Sequence, residues 1–139
     1  MNKLNVIIAV LLIFTFFSTC KKDPKILGST SEFTLYVSNQ SFEIDTVDIN
    51  IYFDGNEYIN EDFYVGNQHN WKEFNFKLSK GRHNIEIKSL KGLAVFKDKF
   101  MLKKNKYWAI LNYWYAPLSS TDTTRHFNFT ISDQPIYLQ

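Results

Sequence analysis

Thr46-Val47-Asp48-Ile49-Asn50-Ile51-Tyr52-Phe53-Asp54-Gly55 is the stretch that decides the fold class. Successive side chains of an extended strand point to opposite faces. Val47, Ile49, Ile51 and Phe53 therefore share one face, and Asp48, Asn50 and Tyr52 share the other. A strand with one face buried and one face wet reads this way. Asp54-Gly55 ends the run, and both residues tolerate the positive φ of a tight hairpin turn.

The same period of two extends in both directions. Upstream, Phe33, Leu35 and Val37 alternate with Thr34 and Tyr36. Downstream, a strand is expected around Tyr58–Val65, closed by Gly66-Asn67. Phe74, Phe76 and Leu78 then supply an inward face, and Ser79-Lys80-Gly81 turns the chain into His83–Lys88 with Ile85 and Ile87 inward. Lys91-Gly92 turns it again into Leu93–Leu102, and Lys103-Lys104-Asn105-Lys106 reads as a charged hairpin. Tyr107–Tyr115 is apolar on both faces and is expected to be a central strand covered on both sides. Phe127, Phe129 and Ile131 alternate again, and Ile136 and Leu138 close the chain. No stretch after Cys20 keeps a helical period. The expectation is an all-β domain, a single antiparallel β-sandwich of about eight strands, with a small closed barrel as the alternative.

The segment from Leu78 to Ile87, with Gly81-Arg82-His83 at its turn, resembles a turn-and-strand of immunoglobulin-like and transthyretin-like modules in bacterial surface proteins. The resemblance implies the same sandwich and no activity.

The first 20 residues have a different character. Lys3 precedes an apolar run from Val6 to Phe17, and Ser18-Thr19 lead to Cys20, the one cysteine of the chain. Charge, apolar segment and small residues in this order form a secretory signal peptide. The run is shorter than the roughly 20 residues a spanning helix needs. Phe17-Ser18-Thr19-Cys20 resembles the bacterial lipobox, with Phe17 where Leu is usual and Thr19 where Gly or Ala is usual. This looser form is similar to that of Bacteroidota lipoproteins. It implies that Cys20 is acylated and becomes the mature N-terminus, anchored in the cell envelope at the outer membrane. The expected organisation is a signal peptide over 1–19, a lipidated N-terminus and tether over 20–31, and a sandwich over 32–139.

Composition narrows the function classes. Without residues 1–19 about 120 residues remain, one domain's worth, and the net charge of +2 falls by one with Lys3. A near-neutral chain lacks the basic stripe that nucleic acid requires. With one cysteine there is no disulfide within the domain and no thiolate metal site. Phe, Tyr and Trp at 17% of residues must supply the core.

Motifs for chemistry are sparse. His69, His83 and His126 stand in no Gly-x-Ser-x-Gly or His-Glu-x-x-His context, although His126 with Asp122 and Ser119-Ser120 could form a triad across strands. Asp54-Gly55-Asn56-Glu57 and Asn60-Glu61-Asp62 gather oxygen ligands but lack the spacing of an EF-hand calcium loop. No enzyme, metal or cofactor is expected. Trp71, Trp114 and Tyr115 beside amide-rich loops are candidates for ligand binding, since a flat ring packs on sugar C–H groups while amides read hydroxyls. Lys97, Lys99, Lys103, Lys104 and Lys106 surround one hairpin and suit either a solvated turn or anionic head groups. Asp45-Thr46 and Asp122-Thr123 resemble O-glycosylation sites of Bacteroidota, and Asn39-Gln40-Ser41 and Asn128-Phe129-Thr130 match the N-glycosylation acceptor of other hosts. The functional expectation is a membrane-anchored, non-enzymatic module that binds a protein partner, the alternative being a glycan-binding lipoprotein.

Overall fold

The computed structural model describes residues 28–66, 70–117 and 124–138. These form eight strands: β1 (Thr30–Asn39), β2 (Thr46–Phe53), β3 (Asn56–Tyr64), β4 (Lys72–Ser79), β5 (Gly81–Ser89), β6 (Ala94–Leu102), β7 (Lys106–Trp114) and β8 (His126–Ser132). One sheet has the order β4-β1-β7-β8 and the other β3-β2-β5-β6, so the chain is an open two-layer β-sandwich. All pairings are antiparallel except one. β1 and β7 run parallel, with Phe33 opposite Tyr107 and Leu35 opposite Ala109. The antiparallel expectation therefore needs that correction. Parallel neighbours need a long connection, and here the intervening strands provide it.

The two ends of the sandwich differ. The chain enters β1 at the end that holds the β2–β3, β4–β5 and β6–β7 turns, where Lys80 N–H donates to Ser29 O and Glu32 N–H donates to Asn105 O. We call this the proximal end. The distal end carries the β1–β2 and β5–β6 connections. There Asn39 is buried, and its Nδ2 donates to Ile44 O (2.9 Å) and to Phe63 O (3.2 Å), while its Oδ1 accepts from Ser41 N–H. One amide thus ties the first sheet to the second. The sequon at Asn39 is consequently inaccessible, whereas Asn128 is exposed.

The core follows the alternation of the sequence. Phe33, Leu35 and Val37 of β1 bury against Ile49, Ile51 and Phe53 of β2 and Ile85 and Ile87 of β5. Phe53 makes ring contacts with Phe33, Phe76, Phe100 and Tyr58 at centroid distances of 5.1–5.9 Å. Phe63 against Phe74 closes one side of the sandwich, and Phe96 and Phe100 against Phe129 close the other. The Asp54-Gly55 turn has positive φ at both residues (52° and 82°), as its composition predicts.

A further expectation requires correction. β7 lies inside its sheet between β1 and β8, but only one of its faces is covered: Tyr107, Ala109, Leu111 and Tyr113 are buried, while Trp108, Ile110, Asn112 and Trp114 are partly exposed. A two-layer sandwich has no third layer to cover the outer face, however apolar that face is.

Phe53→Ala removes the ring that contacts four others and is expected to cost about 3–5 kcal/mol. Chemical denaturation should show a lower midpoint with an unchanged slope. An effect below about 1 kcal/mol would mean the ring cluster is not the centre of the core.

Candidate binding surfaces

The β5–β6 connection at the distal end is a tight turn over Leu90, Lys91, Gly92 and Leu93, closed by Leu93 N–H donating to Leu90 O. It is fixed from three sides. The Asp48 carboxylate accepts from Ser89 Oγ (2.9 Å), Leu90 N–H (3.1 Å) and Lys91 N–H (2.7 Å). Ser89 Oγ in turn accepts from Gly92 N–H (2.7 Å). The buried Tyr113 ring packs under the turn and its hydroxyl donates to Gly92 O (2.8 Å). A Cβ on Gly92 would stand 2.6 Å from Ser89 Oγ and 2.7 Å from Tyr113 Cε2, so glycine is the residue that fits. Lys91 Nζ pairs with both oxygens of Asp62.

This rigid turn holds apolar side chains in water. Leu90 is 80% exposed, Leu93 72% and Val95 64%. Leu93 also has φ +49°, a left-handed conformation that costs a side-chain-bearing residue energy and persists only where its surroundings enforce it. Phe42 and Tyr64 are exposed at the same end.

A second surface is the outer face of the β4-β1-β7-β8 sheet. Register puts Thr34 beside Trp108, Tyr36 beside Ile110, and Ser38 beside Asn112. On the far side, Asn112 meets Asn128 and Trp114 meets His126. Trp71 precedes Lys72, which pairs with Val37, and its indole Nε1 donates to Asn112 Oδ1 (3.0 Å). To reach Asn112 from the β4 side the indole crosses Ser38, which has no exposed surface. The three tryptophans of the chain thus share one sheet face, and none is in the core.

The predicted ligand-binding residues divide across this surface. Trp71 and Trp114 are both on it, half-buried, and Tyr115 lies just past β7 with the Arg125 guanidinium 4.3 Å from its ring centre. Trp108 was missed because the alternation of β7 read it as core. Leu90 and Leu93 gave no signal either, since apolar residues beside a turn look like ordinary strand ends. Cys20 lies outside the described residues, as do His69, Asp122 and Ser119-Ser120.

His83 and His126 stand at opposite ends of the sandwich. His83 is buried at the proximal end, with Nδ1 2.7 Å from Asp54 Oδ2 and Nε2 2.6 Å from Ser79 O, stacked on Phe100. That same Asp54 accepts from Asn84 N–H. The other acidic groups considered for calcium are engaged as well: Glu57 with Tyr52, Glu61 with Lys72, and Asp62 with Lys91. Among the described residues no cluster of three metal-ligating side chains forms. The basic hairpin is partly neutralised by Lys104–Asp133, Lys106–Glu32 and Lys97–Glu86 pairs. Lys104 holds the Asp133 carboxyl below its usual range. No helix among the described residues is long and apolar enough to cross a membrane.

No protein-family model matches the chain, and no curated protein or solved structure matches it significantly.

Partial burial acts to raise the Asp48 pKa, but the Lys91 and Leu90 N–H groups and the Ser89 hydroxyl outweigh it and hold the carboxyl below its ordinary value. The unfolded carboxyl ionises near 3.9. The contribution is therefore complete above about that pH and is lost as pH falls through the lower folded value. Asp48→Ala is expected to cost about 1–3 kcal/mol at neutral pH. Asp48→Asn should lose part of the acid-side slope of stability against pH, and an unchanged slope would show that Asp48 does not carry it.

Proposed function

We propose that the chain is a lipid-anchored envelope module, tethered by acylation of Cys20, that binds a protein partner through the distal end of its sandwich and carries out no chemistry itself. The observation that carries the partner reading is the β5–β6 turn: Leu90 and Leu93, with Val95 beside them at the start of β6, stand in water around a loop that three sets of buried or charged contacts keep from folding inward. Exposed apolar side chains on a rigid support are the usual makings of an interface. The lipobox-like junction supports the anchor. Eight residue-to-residue steps lead from Cys20 to Gly28, and at most roughly 3.5 Å each they reach about 28 Å. An anchor at Cys20 keeps the proximal end near the bilayer, with Lys80, Lys103, Lys104 and Lys106 among the residues toward it. The β5–β6 turn then points away from the membrane.

Two measurements test the two halves separately. Cys20→Ser should abolish incorporation of labelled palmitate and release the protein from the membrane fraction; membrane retention without label would refute the lipid anchor. For the contact, a photo-crosslinking residue at position 93 of the anchored full-length chain should give a discrete protein adduct in cells. That adduct should disappear when Leu90→Ser is added, and the same probe at position 103 should not give it. Equal background from both positions would sink the distal-end reading.

A further inference from the structure

We infer that the outer face of the β4-β1-β7-β8 sheet is a binding face for an uncharged glycan chain lying along β7. Trp108, Ile110, Asn112 and Trp114 project outward from β7, and all four are partly exposed. Six residue-to-residue steps lead from Trp108 to Trp114, so their Cα atoms stand about 20 Å apart at the rise of an extended strand. That span accommodates several sugar rings end to end, with an aromatic ring near each limit to pack on sugar C–H faces.

Between the two rings the hydrogen-bonding group is preset. Asn112 Oδ1 accepts from Trp71 Nε1, which fixes the amide so that Nδ2 presents its N–H groups as donors. Asn128, exposed, is the neighbour of Asn112 on β8. A packed indole thus orients an amide beside the partly exposed rings, the arrangement of a few placed polar groups within an apolar surface that small-ligand sites use.

Charge selects the class of ligand. From Thr34 to Ser38 on the outer face of β1, and from Trp108 to Trp114 on that of β7, there is no charged side chain. Charges lie around the rim: Glu32, Lys77 and Lys106 at the proximal row, with Lys106 Nζ 5.2 Å from the Trp108 ring centre, Glu73 opposite Tyr36 on β4, and Arg125 over Tyr115 at the distal end. An acidic polymer would find cations only at the two ends of this strip, and the one at the proximal end, Lys106, is paired with Glu32 (3.6 Å). A protein partner is better served by the β5–β6 turn, on a different part of the molecule. A neutral oligosaccharide matches both the rings and the uncharged amides.

The test uses the full-length lipoprotein in a detergent without a sugar head group, on an array of neutral and acidic oligosaccharides. A neutral oligosaccharide that scores, with cellohexaose, mannohexaose and N-acetylchitohexaose included, is then titrated by tryptophan fluorescence. Binding of a neutral chain is expected to weaken about tenfold or more with Trp108→Ala or Trp114→Ala. Asn112→Asp, which puts a charge into the strip, should weaken it comparably, while Trp108→Phe and Leu93→Ser should retain it. Should an alanine variant fail to fold, Asn112→Asp against Trp108→Phe decides the matter. Binding of no neutral oligosaccharide, binding of acidic ones alone, or binding that survives both tryptophan substitutions would overturn the inference. Because Leu93→Ser leaves this face intact, the outcome is independent of the contact proposed at the β5–β6 turn.

Discussion

Contact between the Phe33, Phe53 and Phe100 rings across the two sheets is the interaction on which the rest of the molecule depends. With a single cysteine at position 20, no disulfide can pin the layers together, so shape-filling rings must do it. The rings continue to both open sides of the sandwich. Tyr58, Phe74 and Phe76 cover the β3–β4 side, and Phe96 and Phe129 the β6–β8 side. Sheet edges left bare would invite pairing with other chains. Here edge strands of opposite sheets are stitched to each other by aromatic packing, and β6 adds Lys97, Asp98 and Lys99 on its exposed positions.

A second set of contacts converts this core into a presenting scaffold. Tyr113 sits fully buried on the central strand of one sheet, and its hydroxyl ends on the backbone of the β5–β6 turn of the other. Asp48, on β2, completes the clamp from within that second sheet. The turn is thereby coupled to both layers, and the exposure of Leu90 and Leu93 is a property of the rigid fold rather than of a loose loop. Ordinary turns are wet and polar; one that keeps two leucines in water against such restraint departs from the local rules in the manner of a site of contact.

Much of this was legible in the sequence, and the illegible part has a common cause. Strands β1, β2, β5 and β8 were readable because Val47-x-Ile49-x-Ile51 and its counterparts alternate cleanly. The hairpins at Asp54-Gly55 and Lys91-Gly92 were readable because those turns demand particular backbone freedom or close packing. The pattern could not reveal that β1 and β7 pair in parallel, since alternation is blind to strand direction. Nor could it reveal which side of β7 faces water. Trp108, Ile110 and Trp114 are as apolar as Tyr107, Leu111 and Tyr113, and only the register, which sets Tyr107 beside Phe33 and Trp108 beside Thr34, tells the faces apart. Exposure of Leu90 and Leu93 was hidden for the same reason: composition states that a side chain is apolar, not whether the fold has room for it.

The division of aromatic residues between the two sides of the β4-β1-β7-β8 sheet then acquires a meaning that composition alone lacks. Phenylalanine has no polar atom and serves the dry interior, where Phe33, Phe53 and Phe100 are buried. Tryptophan carries one donor and needs a partner for it, which Asn112 supplies to Trp71 on the outer face. A sandwich of this size could cover that face with threonine, lysine and glutamate at no cost to its core, as the two inner strands of the β3-β2-β5-β6 sheet largely do with Asp48, Asn50, Glu86 and Lys88 around a single Tyr52. The two outer faces experience the same solvent and similar strand geometry, so folding does not account for their difference. The aromatic and amide face is the one whose composition calls for a reason outside the fold, and contact with a ligand is such a reason.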